Sequence, residues 1–208
     1  MNKIDPGVRR GRKFEQVISG ARKIFLRDGF EGASVDDIAR AAGVSKATLY
    51  SYFPDKRLLF QEVTKAECRR QAERAIELGD PGAPPEEALY KAGCILLEFA
   101  TSPVAQRIYR ICVAEAERFP ELGRAYYESG PAVARDKLVQ YLSGAVERGA
   151  LRIDDIPLAA HQFIELCKAE IFQKVVFGLQ SKPSAAEIDR IVRAAVETFL
   201  ARYAAPAT

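Results

Sequence analysis

The chain is 208 residues long, 48% hydrophobic and 28% charged, with a net charge of +3. These are ordinary globular proportions, which exclude wholesale disorder, and the length suffices to bury a substantial core in one compact unit or two small domains. No apolar run approaches a membrane span and Met1–Lys13 lacks the hydrophobic stretch of a signal peptide, so no membrane partner is expected and the expected location is cytoplasmic.

The charge gains meaning when it is divided. Residues 1–56 hold 11 Lys+Arg against 7 Asp+Glu, a balance of +4, whereas residues 57–208 hold 20 against 21, a balance of −1. Arg9, Arg10, Arg12 and Lys13 cluster before the first predicted helix. Alone, such a run is more often a solvated arm than a nucleic-acid contact; beside a DNA-reading motif the weighting reverses.

Apolar residues recur with a period of 3.6 throughout, and no alternating strand pattern competes. The first helix, about Arg9–Asp28, places Phe14, Val17, Ile18, Ala21, Ile24 and Phe25 on one face; Gly29 stops it and Phe30 folds back over the core. Ser34 then caps a short helix whose apolar face is Val35, Ile38, Ala39 and Ala42, with Asp37 placed to close a capping box. Gly43 supplies a left-handed terminus, Val44 fills the corner, and Ser45 caps a second short helix, Lys46–Tyr52. Ala39, Gly43 and Leu49 hold the positions where a helix-turn-helix needs a small contact, a sharp turn and a core plug. The second helix offers the core almost nothing except Leu49, and turns out Lys46, Ala47, Thr48, Tyr50, Ser51 and Tyr52. Small and polar groups suit base edges in a major groove, and hydroxyls and cations suit phosphates.

The segment GVSKATLYSYFPDKRLLF resembles the recognition helix and following residues of the TetR family of bacterial transcriptional regulators, and FLRDGFEGASVDDIARAAG resembles that family's first two helices. The resemblance implies DNA contacts at Thr48 and Tyr50, a phosphate partner for Lys56, and base-approaching positions at Lys46 and Ala47. Tyr52 stands where many members carry histidine and retains a donor for phosphate. Ser51 stands where a bulky aromatic is common. With the two capping serines, the candidate DNA-binding set is Ser34, Ser45, Lys46, Ala47, Thr48, Tyr50, Tyr52 and Lys56.

Beyond Pro54-Asp55, a fourth helix runs to about Leu78, links the reading unit to the rest of the chain, and reaches the middle helices through Val63 and Ile76. Gly79–Pro85 carries three prolines and reads as a linker. Helices follow at about Glu86–Thr101, Pro103–Arg118, Glu121–Ser129, Pro131–Gly149, Asp155–Phe177 and Ser184–Tyr203, with Ala204–Thr208 as a frayed tail. Ser184 and Glu187 form a capping box, and Ile188, Ile191, Val192, Ala195, Val196, Phe199 and Tyr203 make a stripe on the last helix. The helix before it is apolar on more than one face: Phe163, Leu166 and Cys167 point one way, and Ile164, Ile171 and Val175 another. Central burial and a four-helix contact with a second copy both explain that pattern. One helix-turn-helix reads little sequence alone, and the family resemblance implies dimerisation here, so the expected partner is a homodimer through the last two long helices, with Val175 and Phe199 in the contact.

The middle helices are rich in aromatic and soft side chains, each individually explicable as core. The resemblance implies an effector cavity in this region, and Ser102–Gly178 resembles the C-terminal domain of AefR-like members. The candidate ligand set is Phe99, Tyr109, Cys112, Tyr127, Phe163 and Cys167, for a small, largely apolar effector. The four cysteines (Cys68, Cys94, Cys112, Cys167) include no CxxC pair and His161 is the sole histidine, so neither a metal nor a cofactor is expected. His161 has no neighbouring motif partner for catalysis. The resulting expectation is an all-α protein of about nine to ten helices, with a helix-turn-helix domain (1–56) and a helical effector-binding and dimerisation domain (57–208). It is expected to act as a repressor that binds a palindromic operator. A helical enzyme and an architectural DNA-binding protein are the alternatives, the latter disfavoured by the nearly neutral C-terminal part.

Overall fold

The computed structural model describes residues 11–76 and 82–205, with the backbone alone for 71–76. Among the described residues run eleven helices and no β-strand: α1 (Arg12–Gly32), α2 (Val35–Ala42), α3 (Lys46–Tyr52), α4 (Lys56–Ile76), α5 (Pro85–Ala100), α6 (Pro103–Ala114), α7 (Pro120–Ser129), α8 (Pro131–Glu147), α9 (Ile156–Lys168), α10 (Ile171–Val176) and α11 (Ala185–Tyr203). The all-α expectation holds. Arg9, Arg10, most of the Gly79–Pro85 linker and the side chain of Ile76 lie outside the described residues.

Packing gathers the chain into two compact units: residues up to Cys68 with Arg107–Ser129, and Arg69–Gln106 with the remainder from Gly130. The first unit is built on α1, whose Phe14, Val17, Ile18, Ala21, Ile24 and Phe25 are buried on the predicted face. Gly29 breaks the helical run with φ 76°, ψ −173°, a conformation that glycine adopts without penalty. The chain therefore turns Phe30 inward, where its ring stacks on Phe25 at 6.1 Å and meets Phe60 and Phe119 edge-on at 5.6 Å each. Burying such a ring is worth about 1.5–3 kcal/mol. Arg107 donates to the carbonyls of Leu26 (2.9 Å) and Arg27 (3.0 Å), just before the break at Gly29. A Cβ placed on Gly20 would lie 2.6 Å from the Ala42 nitrogen, so α1 and α2 cross backbone to backbone there.

The second unit packs α5, α8, α9 and α11 around Leu89, Leu97, Leu142, Phe163, Val192 and Phe199. Gly93 on α5 sets the close approach: a Cβ there would stand 2.7 Å from Val192 Cγ1 and 3.1 Å from Cys167 Sγ. The predicted capping box at the start of α11 is present, with Glu187 N donating to Ser184 Oγ and Ser184 N to Glu187 Oε2.

Three local expectations are corrected. The single helix expected over Asp155–Phe177 is broken at Ala169 (φ −52°, ψ 142°) and Glu170 (φ 68°, ψ −51°), which yields the eleventh helix. Arg190 and Lys174 both bind the Glu170 carboxylate, at 2.7 and 3.1 Å, and fix the break. The tail is tied rather than frayed through Ala205: Arg152 N donates to Tyr203 O (2.8 Å) and Ala204 forms an isolated bridge with Leu151. Val175 and Phe199, expected in a contact between copies, are 3% and 1% exposed in the single chain because they fill its own core. The exposed apolar side chains of that region are Leu158 (51%), Phe177 (75%) and Leu179 (78%).

Candidate nucleic-acid interface

Two short helices hold the predicted reading surface. Ser34 Oγ accepts from Asp37 N (3.0 Å) and donates to Asp37 Oδ2 (2.7 Å), so the hydroxyl serves both as helix cap and as partner of the carboxylate. That hydroxyl, more than any nearby cation, holds the Asp37 carboxyl below its usual range. Arg40 closes the other side of Asp37 at 2.6 Å. Gly43 takes the left-handed conformation (φ 65°, ψ 35°) and its N–H returns to the carbonyls of Ala39 and Arg40. Ser45 then caps α3, accepting from Thr48 N at 3.1 Å, with the two hydroxyls 2.8 Å apart.

Leu49, 2% exposed, anchors α3, and Ala39, Ala42 and Ile38 are buried beneath it. Phe53 is buried too, its ring 5.4 Å from Phe14. This leaves Ser45, Lys46, Ala47, Tyr50 and Ser51 exposed along the other side, with Thr48 half-buried. Tyr52 is half-buried against the edge of Phe14 at 6.0 Å. Ser51 turns its hydroxyl back to Thr48 O (2.7 Å). Five of the eight predicted residues, Ser45, Lys46, Ala47, Thr48 and Tyr50, therefore lie along one short, mostly polar helix, and Ser34 is exposed at the start of α2.

Lys56 is placed differently. Its ammonium donates to the carbonyls of Glu31 and Ala33 (3.3 Å each) and lies 4.7 Å from the Phe30 ring centroid, so it ties the start of α4 to the segment that follows α1. Asp55 caps α4 by accepting from Arg57 N (2.7 Å), and Arg57 holds its carboxyl below the usual range. Sequence reasoning also missed Asp36, whose carboxylate binds the Lys46 ammonium at 2.9 Å. Hydrogen bonding to Asp36, and then its charge, raises the lysine above its ordinary range. An acidic residue in the first turn of a helix reads from sequence as dipole complement, so nothing local identified it as a partner across the turn.

The six predicted ligand residues divide between the units. Tyr109, Cys112 and Tyr127 belong to the first, where Tyr109 and Tyr126 rings lie 5.9 Å apart and Cys112 Sγ lies 3.7 Å from Leu122 O. Phe163 and Cys167 are buried in the second unit's core, and Phe99 on α5 is half-buried. The second unit also carries a groove of about 760 Å³, formed by Pro84, Glu86, Glu87 and Tyr90 opposite Arg193, Val196, Glu197, Leu200 and Ala201. None of the six lines it. All four cysteines are free, and burial pushes the Cys112 and Cys167 thiols up to about 12. No group of His, Cys, Asp or Glu among the described residues could hold a metal ion, and none of the helices searched is long and apolar enough to cross a membrane.

Residues 17–63 match the bacterial regulatory proteins of the tetR family, and residues 87–205 match the C-terminal domain of AefR-like transcriptional repressors. The chain belongs to the TetR family. The flavonoid-responsive regulator FrrA is a similar solved structure, 37% identical with a TM-score of 0.81, the match covering 95% of this chain and 100% of that one. A TetR-family transcriptional regulator from Pseudomonas syringae pv. tomato str. DC3000 is 26% identical, with a TM-score of 0.73 over 95% of this chain and 100% of that one. The transcriptional repressor AcnR of Corynebacterium glutamicum is 24% identical over 178 residues, 85% of this chain and 89% of AcnR. As a TetR-family member the chain is a DNA-binding transcriptional regulator and not an enzyme.

Proposed function

We propose that this TetR-family regulator is a homodimeric repressor that reads a near-palindromic operator through α3 and releases it on binding a small, largely apolar effector. The carrying observation is the asymmetry of α3. One side is locked into the core by Leu49, and the other exposes Lys46, Ala47 and Tyr50 with no core role. In this reading Lys46 and Ala47 face base edges, Ser34, Ser45, Thr48, Tyr50 and Tyr52 position the helix on phosphates, and Lys56 supports the surface from behind. Residues 1–56 are the reading domain and residues 57–208 the effector-binding and dimerisation domain. Two copies are needed because half-sites lie about 34–36 Å apart, beyond the reach of one short helix.

The effector reading is supported by the similarity to FrrA, named for its response to flavonoids, so the proposed effector class is a planar, mostly apolar polyphenol. Of the six candidates, Phe99, Tyr109 and Tyr127 are half-buried or exposed, whereas Cys112, Phe163 and Cys167 are buried within their own units.

The test is selection and sequencing of genomic fragments bound by the purified protein, followed by titration of Tyr50→Ala. Near-palindromic fragments are expected, and Tyr50→Ala should weaken every duplex alike while Ala47 variants change the preferred base. Unchanged binding by Tyr50→Ala would remove α3 from the interface.

A further inference from the structure

The chain leaves α1 through Glu31, Gly32 and Ala33, and the carbonyls at a helix end need partners from elsewhere. Among the described residues no backbone N–H reaches the Ala33 carbonyl. A cation often serves such an end, and here it comes from another helix. The ammonium of Lys56, the first residue of α4, donates to the carbonyls of Glu31 and Ala33 at 3.3 Å each. It stands 4.7 Å from the centroid of Phe30, a buried ring. The Glu31 carboxylate is held separately by Arg118, so Lys56 acts on the backbone of this turn rather than on its charge.

That placement fixes one end of α2. Ser34, the residue after Ala33, is the N-cap of α2. The other end is fixed by a different contact, because a Cβ on Gly20 of α1 would stand 2.6 Å from the Ala42 nitrogen. A short helix held at Ala42 alone can pivot about that contact; held at Ala33 as well, it cannot. α3 follows α2, since the Gly43 N–H returns to Ala39 and Arg40 and Leu49 is buried in the same unit.

We propose that Lys56 is a positioning residue for DNA reading: by holding the Glu31 and Ala33 carbonyls it pins the start of α2, so sets where α3 stands, and neutralises no phosphate itself. This rests on the reading that α3 enters the DNA. It differs from the phosphate contact that the family resemblance implies for this position. A lysine extended toward a phosphate would leave the Ala33 carbonyl, on a residue only 2% exposed, without a donor. It would also take the charge away from the Phe30 ring. Both losses oppose what one phosphate contact adds. Without the pin, the free protein spreads over several placements of α2 and α3, and apparent affinity falls with the fraction that can still dock.

The experiment compares the parent with K56M, in which methionine keeps an apolar stem against Phe30 and removes the donors and the charge. Dissociation constants for the operator recovered by selection with the parent are measured over a series of salt concentrations. Amide exchange is followed in the free proteins. Operator affinity should fall about tenfold at every salt concentration, as for a docking-competent fraction of about one in ten. The plots of log affinity against log salt should run parallel, because no phosphate contact is lost; a lost phosphate ligand would make the K56M line shallower by about 0.9. In the free protein, amides over residues 33–42 should exchange at least about threefold faster in K56M, with those of α11 as in the parent. A uniform loss of stability would not give that pattern. A line shallower by about 0.9, an unchanged operator affinity, or unchanged exchange over residues 33–42 would each overturn the proposal. So would exchange that quickens equally in α11. Where K56M melts below the assay temperature, K56Q takes its place under the same criteria. Failure of the parent to bind any selected duplex is recognisable separately: it removes the DNA-reading assignment of α3, and this role with it, while the exchange comparison still decides whether Lys56 holds α2.

Discussion

Gly20 and Gly93 show how much of this protein rests on the absence of a single carbon. At Gly20 the missing Cβ lets α1 lie against the Ala42 backbone, and at Gly93 it lets α5 press on Val192 and Cys167. Gly20→Ala has no flexible neighbour to displace, because its contacts are backbone atoms 2.6 and 2.7 Å away. It should cost about 1–3 kcal/mol, read as a lower urea midpoint at unchanged slope. Gly43, by contrast, was legible from sequence, since a glycine between two capped helices can be assigned to a left-handed terminus without knowing what it touches. Gly20 was not, because its reason lies 22 residues away on another helix. The buried thiols carry a pH signature with a definite sign. Cys112 and Cys167 have native values raised to about 12 by desolvation, above the unfolded range near 8.5. Their contribution to stability is complete below the unfolded value and is lost as pH rises through the folded one. Denaturant titrations should show stability declining between about pH 9 and 12, and both thiols should resist alkylation at pH 8 until the protein unfolds.

At the scale of elements, the break between α9 and α10 is the clearest departure from what periodicity could tell. The run from Ile156 to Phe177 contains neither an internal glycine nor a proline after the first turn, so nothing local stops the helix. The left-handed Glu170 is instead held by Arg190 from α11 and by Lys174. Those two partners pull the Glu170 carboxyl below its usual range. Its stabilising effect is present above the unfolded value near 4.3 and disappears as pH falls through the lower folded value. Glu170→Gly should relieve the backbone strain while removing the acid-side dependence, a combination that Glu170→Gln, which keeps the strain, should not reproduce. The break also sets which apolar residues remain outside. Beyond it Ile171 and Val175 turn into the core, and Phe177 and Leu179 are left exposed. If the proposed dimer forms on this side of the second unit, Phe177→Asp with Leu179→Asp should yield folded monomers by light scattering, with the helical circular dichroism of the parent. Val175→Asp should instead lower the melting temperature sharply, since it buries a charge without a partner. Equal assembly by the exposed-site variant would place the interface elsewhere.

At the scale of the whole molecule, the family, the helical class and the reading helix were legible because the helix-turn-helix encodes them locally, in caps, one glycine and one core plug. The packing units were not, because α6 and α7 join the reading residues only through contacts that sequence separation conceals. Arg107 caps the α1 carbonyls, Arg118 pairs with Glu31, Phe119 lies on Phe30, and Arg57 reaches Glu121 at 3.2 Å. A ligand that displaces Arg107–Ser129 would therefore act on α1 directly, in addition to any effect conveyed along α4. An effector must prefer the released conformation for this to matter, and a coupling of about 1–3 kcal/mol, or five- to 150-fold in DNA affinity, is the usual scale. Arg107→Ala removes two hydrogen bonds of about 1 kcal/mol each while leaving α3 untouched. Amide exchange over Leu26–Ala33 should quicken by about tenfold or more, and exchange in α11 should stay as in the parent. With the selected operator and quercetin as the flavonoid probe, the parent should lose affinity as the probe is added. Arg107→Ala should bind the operator in the absence of the probe and respond to it several-fold less. A full response in that variant, with the faster exchange confirmed, would show that the signal reaches the reading helices without the α6–α1 contact.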